Sequence, residues 1–487
     1  MPTAHGHDFS AFPTGFKSRV HGCWLGKSIG GTLGLPAEGK MERLHFSFYD
    51  PVPTVAPPND DLELQLVWLH LIEQRGSTLT QAGFAKAWLD HLHYMWDEYG
   101  RTRWNLRRGV PVESVGTFEN PFHAGMGSPI RSEIWACLFA GDPDSAAHYA
   151  ALDASLDHGT EGIAGEVLFA VMQSEVATGT ALDPAIAKGL DYLPAHCETM
   201  AAVRFVRGAF EEEIAAWDCW KELLARHGNE NFTHAPLNVA LTIWALVYGG
   251  QDFEKSILLA VNGGYDTDCT AATVGATLGF MVGVEGIPKR WIEPIGEGVF
   301  VGPGIRGIDA PGTLTELTRR TVALIGKLEP QPWQNSLWSR EIPAVDPATL
   351  PGSIGITPLG CQKSEGWANG ELPAAVKQSR GAEWAWETTT DEAREIVCLA
   401  RQGARLFVDG TLVLECPPGL PYVPAPHRCP EGSRERITPT IGKHTVRVEL
   451  TSNAADQDAS VILTYPNFHL CPWTGEDLHH QAWLPAP

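Results

Sequence analysis

The sequence predicts a large all-α domain followed by a smaller antiparallel β-sandwich. Up to about residue 328 the chain runs in long apolar segments without period-two alternation, the pattern of interior helices. A proline-rich stretch follows, and beyond it come short strand-like runs separated by turn residues. At 487 residues the chain is longer than one hydrophobic core usually supports, so two domains are expected.

The first apolar segment, 16–35, spaces its glycines for close helix packing and ends in a turn, Leu35-Pro36-Ala37-Glu38, that presents a carboxylate. Further helical segments are 62–73, 163–177, 201–226, 235–248 and 269–284. In the last of these Gly275, Ala276 and Gly279 lie on one flank and admit a neighbouring backbone. Beyond Lys327, Pro330, Pro332, Pro343, Pro347 and Pro351 remove backbone donors too often for a helix to continue, which sets a boundary near 335 and domains of 1–335 and 336–487. Strands are expected at 383–388, 395–400, 405–408, 411–415, 444–450 and 460–465, with Asp409-Gly410 as a tight hairpin turn. The segments 406–410 and 441–446 resemble a short pattern of sugar-binding sandwich modules, and a packing module fits them equally.

Net charge is 36 − 58 = −22, with no basic block, which disfavours nucleic acid and anionic membranes as partners. The first 16 residues lack the basic start and apolar run of a signal peptide, and no apolar stretch is long enough to span a bilayer; the expectation is a cytoplasmic protein. Oligomeric state is not legible. The ten cysteines are scattered without zinc-ligand spacing and are expected as reduced thiols.

Two motifs carry chemistry. Asn59-Asp60-Asp61 follows a proline-rich turn and directly precedes a helix; Asp266-Thr267-Asp268 follows Asn262-Gly263-Gly264-Tyr265 and does the same at the far end of the domain. Alone, each is explained by helix capping. Brought together without a cation, two buried acidic clusters would repel at a cost well above what a cap returns. A hard ion such as Mg²⁺, taking carboxylate and water oxygens, resolves the conflict, and the lack of histidines beside either cluster argues against zinc or copper. Glu38 is a candidate general acid or base. Trp24, Trp68 and Trp135 are candidates for stacking on a base or sugar, with a core role as the commoner reading.

In this order, the three sites resemble the ADP-ribosylglycohydrolase family over roughly residues 16–325. Gly30 to Glu38 looks like its Gly-Asp-x-x-Gly helix with Pro-x-Glu, Asn59 to Leu62 like its Thr-Asp-Asp-Thr, and Asn262 to Cys269 like its Asn-x-Gly-Gly-Asp-Thr-Asp-Thr. The resemblance implies an all-α fold, one or two Mg²⁺ or Mn²⁺ ions, and cleavage of an N- or O-glycosidic bond at C1 of a ribosyl group in an ADP-ribosyl or small-molecule substrate. It assigns metal contacts to Asn59, Asp60, Asp61, Asp266, Asp268 and Cys269, acid/base chemistry to Glu38, Asp61 and Asp266, and substrate contacts to Gly127, Ser128, His158, Gly264 and Tyr265. Departures stand beside these assignments: Cys269 replaces a hydroxyl ligand by a thiol, poor for Mg²⁺; Gly31 replaces an Asp; Tyr265 replaces a Gly. Hydrolysis of a nucleoside, N-riboside or other glycoside, a non-catalytic ligand-binding role, and a class I terpene synthase, whose acidic motif Asp60-Asp61-Leu62-Glu63 approaches one residue short, are the alternatives.

Overall fold

The structure, a computed structural model, describes residues 15–452 and 456–475. It comprises two compact units, Met1–His93 with Phe122–Glu341, and Tyr94–Pro121 with Ile342–Pro487. Among the described residues no helix is long and apolar enough to cross a membrane.

In chain order the helices are α1 (Phe16–Gly34), α2 (Asp60–Arg75), α3 (Gln81–His91), α4 (Asp97–Arg107), α5 (Ser132–Leu138), α6 (Pro143–Ala154), α7 (Thr160–Thr178) and α8 (Leu182–Leu190). They continue as α9 (Glu198–Glu211), α10 (Ala216–His227), α11 (Ala235–Gly249), α12 (Phe253–Asn262), α13 (Thr267–Val282), α14 (Lys289–Ile292) and α15 (Leu314–Ala323). The expected segment 201–226 is two helices, α9 and α10, because Glu213 adopts a left-handed φ of 57° and turns the chain between them. Trp24, Trp68 and Trp135 are at most 1% exposed and belong to the core of the first unit rather than to a binding surface.

The centre of the first unit is the antiparallel pair α1 and α13. Gly22, Gly26, Gly30 and Gly34 form a stripe at four-residue spacing, and a Cβ on each would lie 2.0–2.4 Å from the carbonyl oxygens of Gly279, Gly275, Ala271 and Thr267 in turn. Side chains here would hold the backbones apart; without them the helices touch main chain to main chain. The seam therefore fixes the C-terminal end of α1 beside the N-terminal end of α13, and Thr267 Oγ1 donates to the Gly34 carbonyl at 2.8 Å across it.

Among the described residues the second unit holds α4, a short helix α16 (Ala374–Gln378) and nine strands, β1 (Ile354–Pro358), β2 (Glu365–Trp367), β3 (Gly381–Thr388), β4 (Arg394–Ala400), β5 (Ala404–Val408), β6 (Thr411–Cys416), β7 (Arg434–Ile437), β8 (Gly442–Leu450) and β9 (Ala459–Thr464). They form a six-stranded sheet, β2-β1-β3-β8-β5-β6, and a three-stranded one, β7-β4-β9, with antiparallel pairing throughout. Trp367, Trp384, Ile396, Leu406, Val446 and Ile462, drawn from both sheets, share one buried core, which makes the expected sandwich. All six expected strands are present, and Asp409 and Gly410 both have positive φ, 49° and 75°, as the hairpin requires. The helix α4 packs in this unit because Arg101 and, just past its end, Arg108 serve sandwich carbonyls: Arg101 donates to Asn369 at 3.2 Å and Arg108 to Ala368 at 3.2 Å.

Candidate metal centre

Both acidic motifs sit at helix starts. Asn59 caps α2, its Oδ1 accepting from the Asp61 N–H at 2.7 Å, and its Nδ2 donates to Asp268 Oδ2 at 3.2 Å. Capping is thus real, and the same side chain ties the two motifs together. Asp266 is the N-cap residue of α13 without a side-chain cap bond of its own, and its N–H donates to Asn238 Oδ1 of α11 at 3.2 Å. The turn that delivers it is clamped to the segment after α1: Gly39 N–H donates to Tyr265 and Tyr265 N–H to Lys40, each at 2.9 Å, while Leu44 N–H donates to Asn262 at 2.9 Å. Gly264 (φ 72°) has no room for a side chain, since a Cβ would lie 2.3 Å from the Glu42 carbonyl. Tyr265 holds a left-handed φ of 69° and is buried.

This clamp places Glu38 beside the aspartates. One oxygen each of Glu38, Asp266 and Asp268 lie within 4.8 Å of one another, and so do ligand atoms of Asp61, Asp268 and Cys269. Asp268 is common to both groups. Asp61, Asp266 and Asp268 are buried, whereas Glu38 is exposed at the rim. Asp60 is half-buried next to Asp61 and belongs to neither group.

Burial is the largest influence on all three buried carboxyls and pushes their pKa values up; the Asp268 carboxylate adds to this for Asp61 and Asp266, while the Lys27 ammonium opposes it at Asp61. The Cys269 thiol is likewise pushed up, first by burial and then by Asp266, to whose carboxylate it hydrogen-bonds. Among the described residues, neither carboxylate oxygen of Asp61, nor Asp268 Oδ1, receives a hydrogen bond. Buried carboxylate oxygens of this kind are costly unless a cation takes them up. The set fits a hard divalent ion, because most of its donors are carboxylate oxygens contributed by separate chain segments.

Sequence reasoning missed the groups behind this centre. Lys27 of α1, fully buried, has its Nζ 3.0 Å from Glu133 Oε2 and 3.7 Å from Asp61 Oδ1. Gln65 of α2 donates to Glu133 Oε2 at 2.9 Å, and Gln173 donates to Oε1 at 3.3 Å. A lysine inside an apolar, glycine-striped helix was the available signal.

Gly127, Ser128 and His158 gather around Arg131. The Gly127 carbonyl accepts from Arg131 Nη1 at 2.7 Å, the Ser128 carbonyl accepts from the Arg131 N–H at 2.9 Å, and buried His158 lies with its Nδ1 2.9 Å from Asp157 Oδ1. Arg131 forms a two-pronged pair with Asp157, at 2.9 and 2.8 Å, and a further pair with Asp153 at 2.9 Å.

The two ends of the helical domain thus meet at a cluster of carboxylates, most of them buried. The family model of the ADP-ribosylglycohydrolases matches residues 13–331, and the chain belongs to that hydrolase family. An uncharacterised protein of Archaeoglobus fulgidus is 25% identical over 312 residues, 58% of this chain and 94% of that protein. An ADP-ribosylarginine hydrolase of Pseudomonas putida is 42% identical over 53 residues, 11% of this chain and 14% of that protein, so the chain spans only a small part of that relative's length. Among solved structures, a chain of an ADP-ribosylglycohydrolase-related protein complex aligns with TM-score 0.45 and 21% identity, covering 65% of this chain and 99% of that one.

Proposed function

We propose that the protein is a divalent-metal-dependent glycosidase that cleaves an N- or O-glycosidic bond at C1 of a ribosyl group. The observation that carries this reading is the pair of donor groups sharing Asp268, in which both oxygens of Asp61 and Asp268 Oδ1 take no hydrogen bond among the described residues. Asp61, Asp266 and Asp268 would hold Mg²⁺ or Mn²⁺, with Asn59 and Asp60 supporting from the α2 start. The ion would supply Lewis-acid orientation of substrate hydroxyls and of water.

The chain's own residues account for the rest. Glu38, exposed at the rim and close to Asp266, is the group positioned to exchange protons with a substrate entering from solvent. In the overall hydrolysis an O–C1 bond forms from water, the C1–N or C1–O bond breaks, the leaving group takes up a proton delivered by Glu38, and a buried carboxylate, Asp61 or Asp266, receives the proton lost by water. Gly264 and Tyr265, in the turn clamped beside Glu38, and Gly127, Ser128 and His158, gathered around Arg131, are the proposed substrate contacts. The short stretch shared with an ADP-ribosylarginine hydrolase supports an ADP-ribosyl substrate over a simple nucleoside. The proposed residence is cytoplasmic, and the proposed limits of the catalytic and accessory domains are 1–335 and 336–487.

The test is a Mg²⁺-dependent hydrolysis screen of ADP-ribosyl-arginine, ADP-ribosyl-serine, nucleosides and simple glycosides, with Asp268→Asn run in parallel. Cleavage of an ADP-ribosyl substrate that needs both the ion and Asp268 is expected. Equal cleavage by the variant, or by EDTA-treated protein, would remove the metal-centre reading.

A further inference from the structure

We propose that Lys27 is a built-in cation of the acidic centre, standing in for an ion on the Asp61 side, so that each chain takes a single divalent ion, at Glu38, Asp266 and Asp268. This rests on the metal-centre reading above and revises two of its roles: Asp61 pairs with Lys27 instead of holding the ion, and Glu38 acts as a ligand, the proton for the leaving group then coming from water.

The two donor groups are unequal. The Glu38 group offers three carboxylates, one of them open to solvent, which gives an ion both ligands and an entrance. In the Asp61 group one of the three donors is the Cys269 thiol, which is engaged with Asp266 and is a poor ligand for a hard ion. An ammonium already stands there: Lys27 Nζ, fully buried, is 3.7 Å from Asp61 Oδ1. Glu133 pairs with it at 3.0 Å, and Gln65 and Gln173 in turn hold Glu133.

One cation is then supplied by the chain at Asp61 and one from solution at Glu38, Asp266 and Asp268. Lysine is the suitable chain-supplied charge at this place. It is a compact point charge on a flexible stem, and α1 can carry that stem among its buried faces while its glycine stripe stays against α13.

The experiment counts ions. Full-length protein, stripped with EDTA and dialysed, is titrated with Mn²⁺, and free ion is read by electron paramagnetic resonance. Wild type is expected to bind one Mn²⁺ per chain, Lys27→Arg one, and Lys27→Gln two, with native circular dichroism confirming that each variant folds. Two ions on wild type, or one on folded Lys27→Gln, would overturn the proposal. Failure of wild type to bind any Mn²⁺ would instead overturn the metal-centre reading, and this inference with it. If Lys27→Gln does not fold, anomalous scattering from Mn²⁺-soaked wild-type crystals decides the matter. One peak bounded by Glu38, Asp266 and Asp268 is expected, and a second peak coordinated by Asp61 would refute the assignment.

Discussion

The glycine seam between α1 and α13 is the part of the fold on which the centre most directly depends, and Gly26→Ala tests that dependence. The added Cβ would lie 2.0 Å from the Gly275 carbonyl oxygen, against the 3.0 Å below which real Cβ contacts essentially never occur, so the helices must separate by 3.0 − 2.0 = 1.0 Å. The obstacle is main chain, which cannot rotate away as a side chain can, so the cost falls near the top of the overpacking range, about 3 kcal/mol. Alanine's better helix propensity offsets about 1 kcal/mol, leaving a net loss of about 2 kcal/mol. The same displacement moves Glu38, just beyond α1, away from Asp266 and Asp268 at the start of α13, so Mn²⁺ affinity should fall at least tenfold, equivalent to about 1.4 kcal/mol. Urea unfolding and Mn²⁺ titration measure the two effects. Gly208→Ala in α9, where a Cβ meets nothing within 4 Å, is the control and should stabilise by about 0.5–1 kcal/mol. If Gly26→Ala matched wild type in both stability and affinity, the seam would not be what sets the geometry of the centre.

Asp268→Asn, which removes the carboxylate common to both donor groups, should abolish Mn²⁺ binding in calorimetry while the protein keeps its helical circular dichroism; retained affinity would contradict the assignment. Arg131→Met leaves Asp153 and Asp157 buried without their partner and should cost about 3–5 kcal/mol in chemical denaturation. In Asp157, burial acts to raise the pKa, but Arg131 and His158 outweigh it and hold the carboxyl at about 2. A depressed carboxyl contributes stability that is complete above its unfolded value and lost as pH falls through the folded one, so this contribution should disappear between about pH 4 and 2 in acid unfolding. In the sandwich, His444 bonds Asp409 at 2.7 Å and the Thr440 carbonyl at 2.8 Å, and these two bonds raise its pKa. The stability it lends is present below the ordinary histidine value, about 6.5, and lost as pH rises past the raised one, so the 409–410 hairpin should exchange its amides faster in alkaline solution, and His444→Gln should flatten that dependence.

The strands were legible because each of the six is a short run bounded by turn residues, so no distant partner was needed to recognise it, even in β4 and β9, which are buried on both faces and do not alternate. Asp409-Gly410 is the clearest case, since two positive φ values in succession are demanded locally by the turn. The short strands β1, β2 and β7 were not legible: β2 is three residues long and β7 four, too short for a period to register. The break between α9 and α10 carries neither glycine nor proline, and only the left-handed Glu213 marks it. The membership of 94–121 in the second unit depends on carbonyls some 260 residues away that Arg101 and Arg108 find, which no local pattern encodes. At the site, adjacent acidic residues before apolar helices gave away the aspartates, while Glu133, Gln65 and Asn238 looked like ordinary helical polar residues until the fold gave them partners.

The electrostatics explain why capping and metal binding are not competing accounts of the aspartates. The starts of α2 and α13 converge, so two helix dipoles point their positive ends at Asp60, Asp61, Asp266 and Asp268. Each dipole returns about 0.3–1 kcal/mol at an exposed surface and up to about 2 kcal/mol when partly buried. Burying a single carboxylate costs several kcal/mol even after the protein relaxes. With Asp61, Asp266 and Asp268 all buried, the dipoles fall short severalfold, and Lys27 is shared with Glu133 and so cannot cover the difference alone. The helix starts favour negative charge here without neutralising it. A cap needs one carboxylate and is satisfied by backbone N–H groups; among the described residues no N–H reaches Asp268 Oδ1, and the charge left beyond what Lys27 covers at Asp61 is the surplus that a cation from solution would bind.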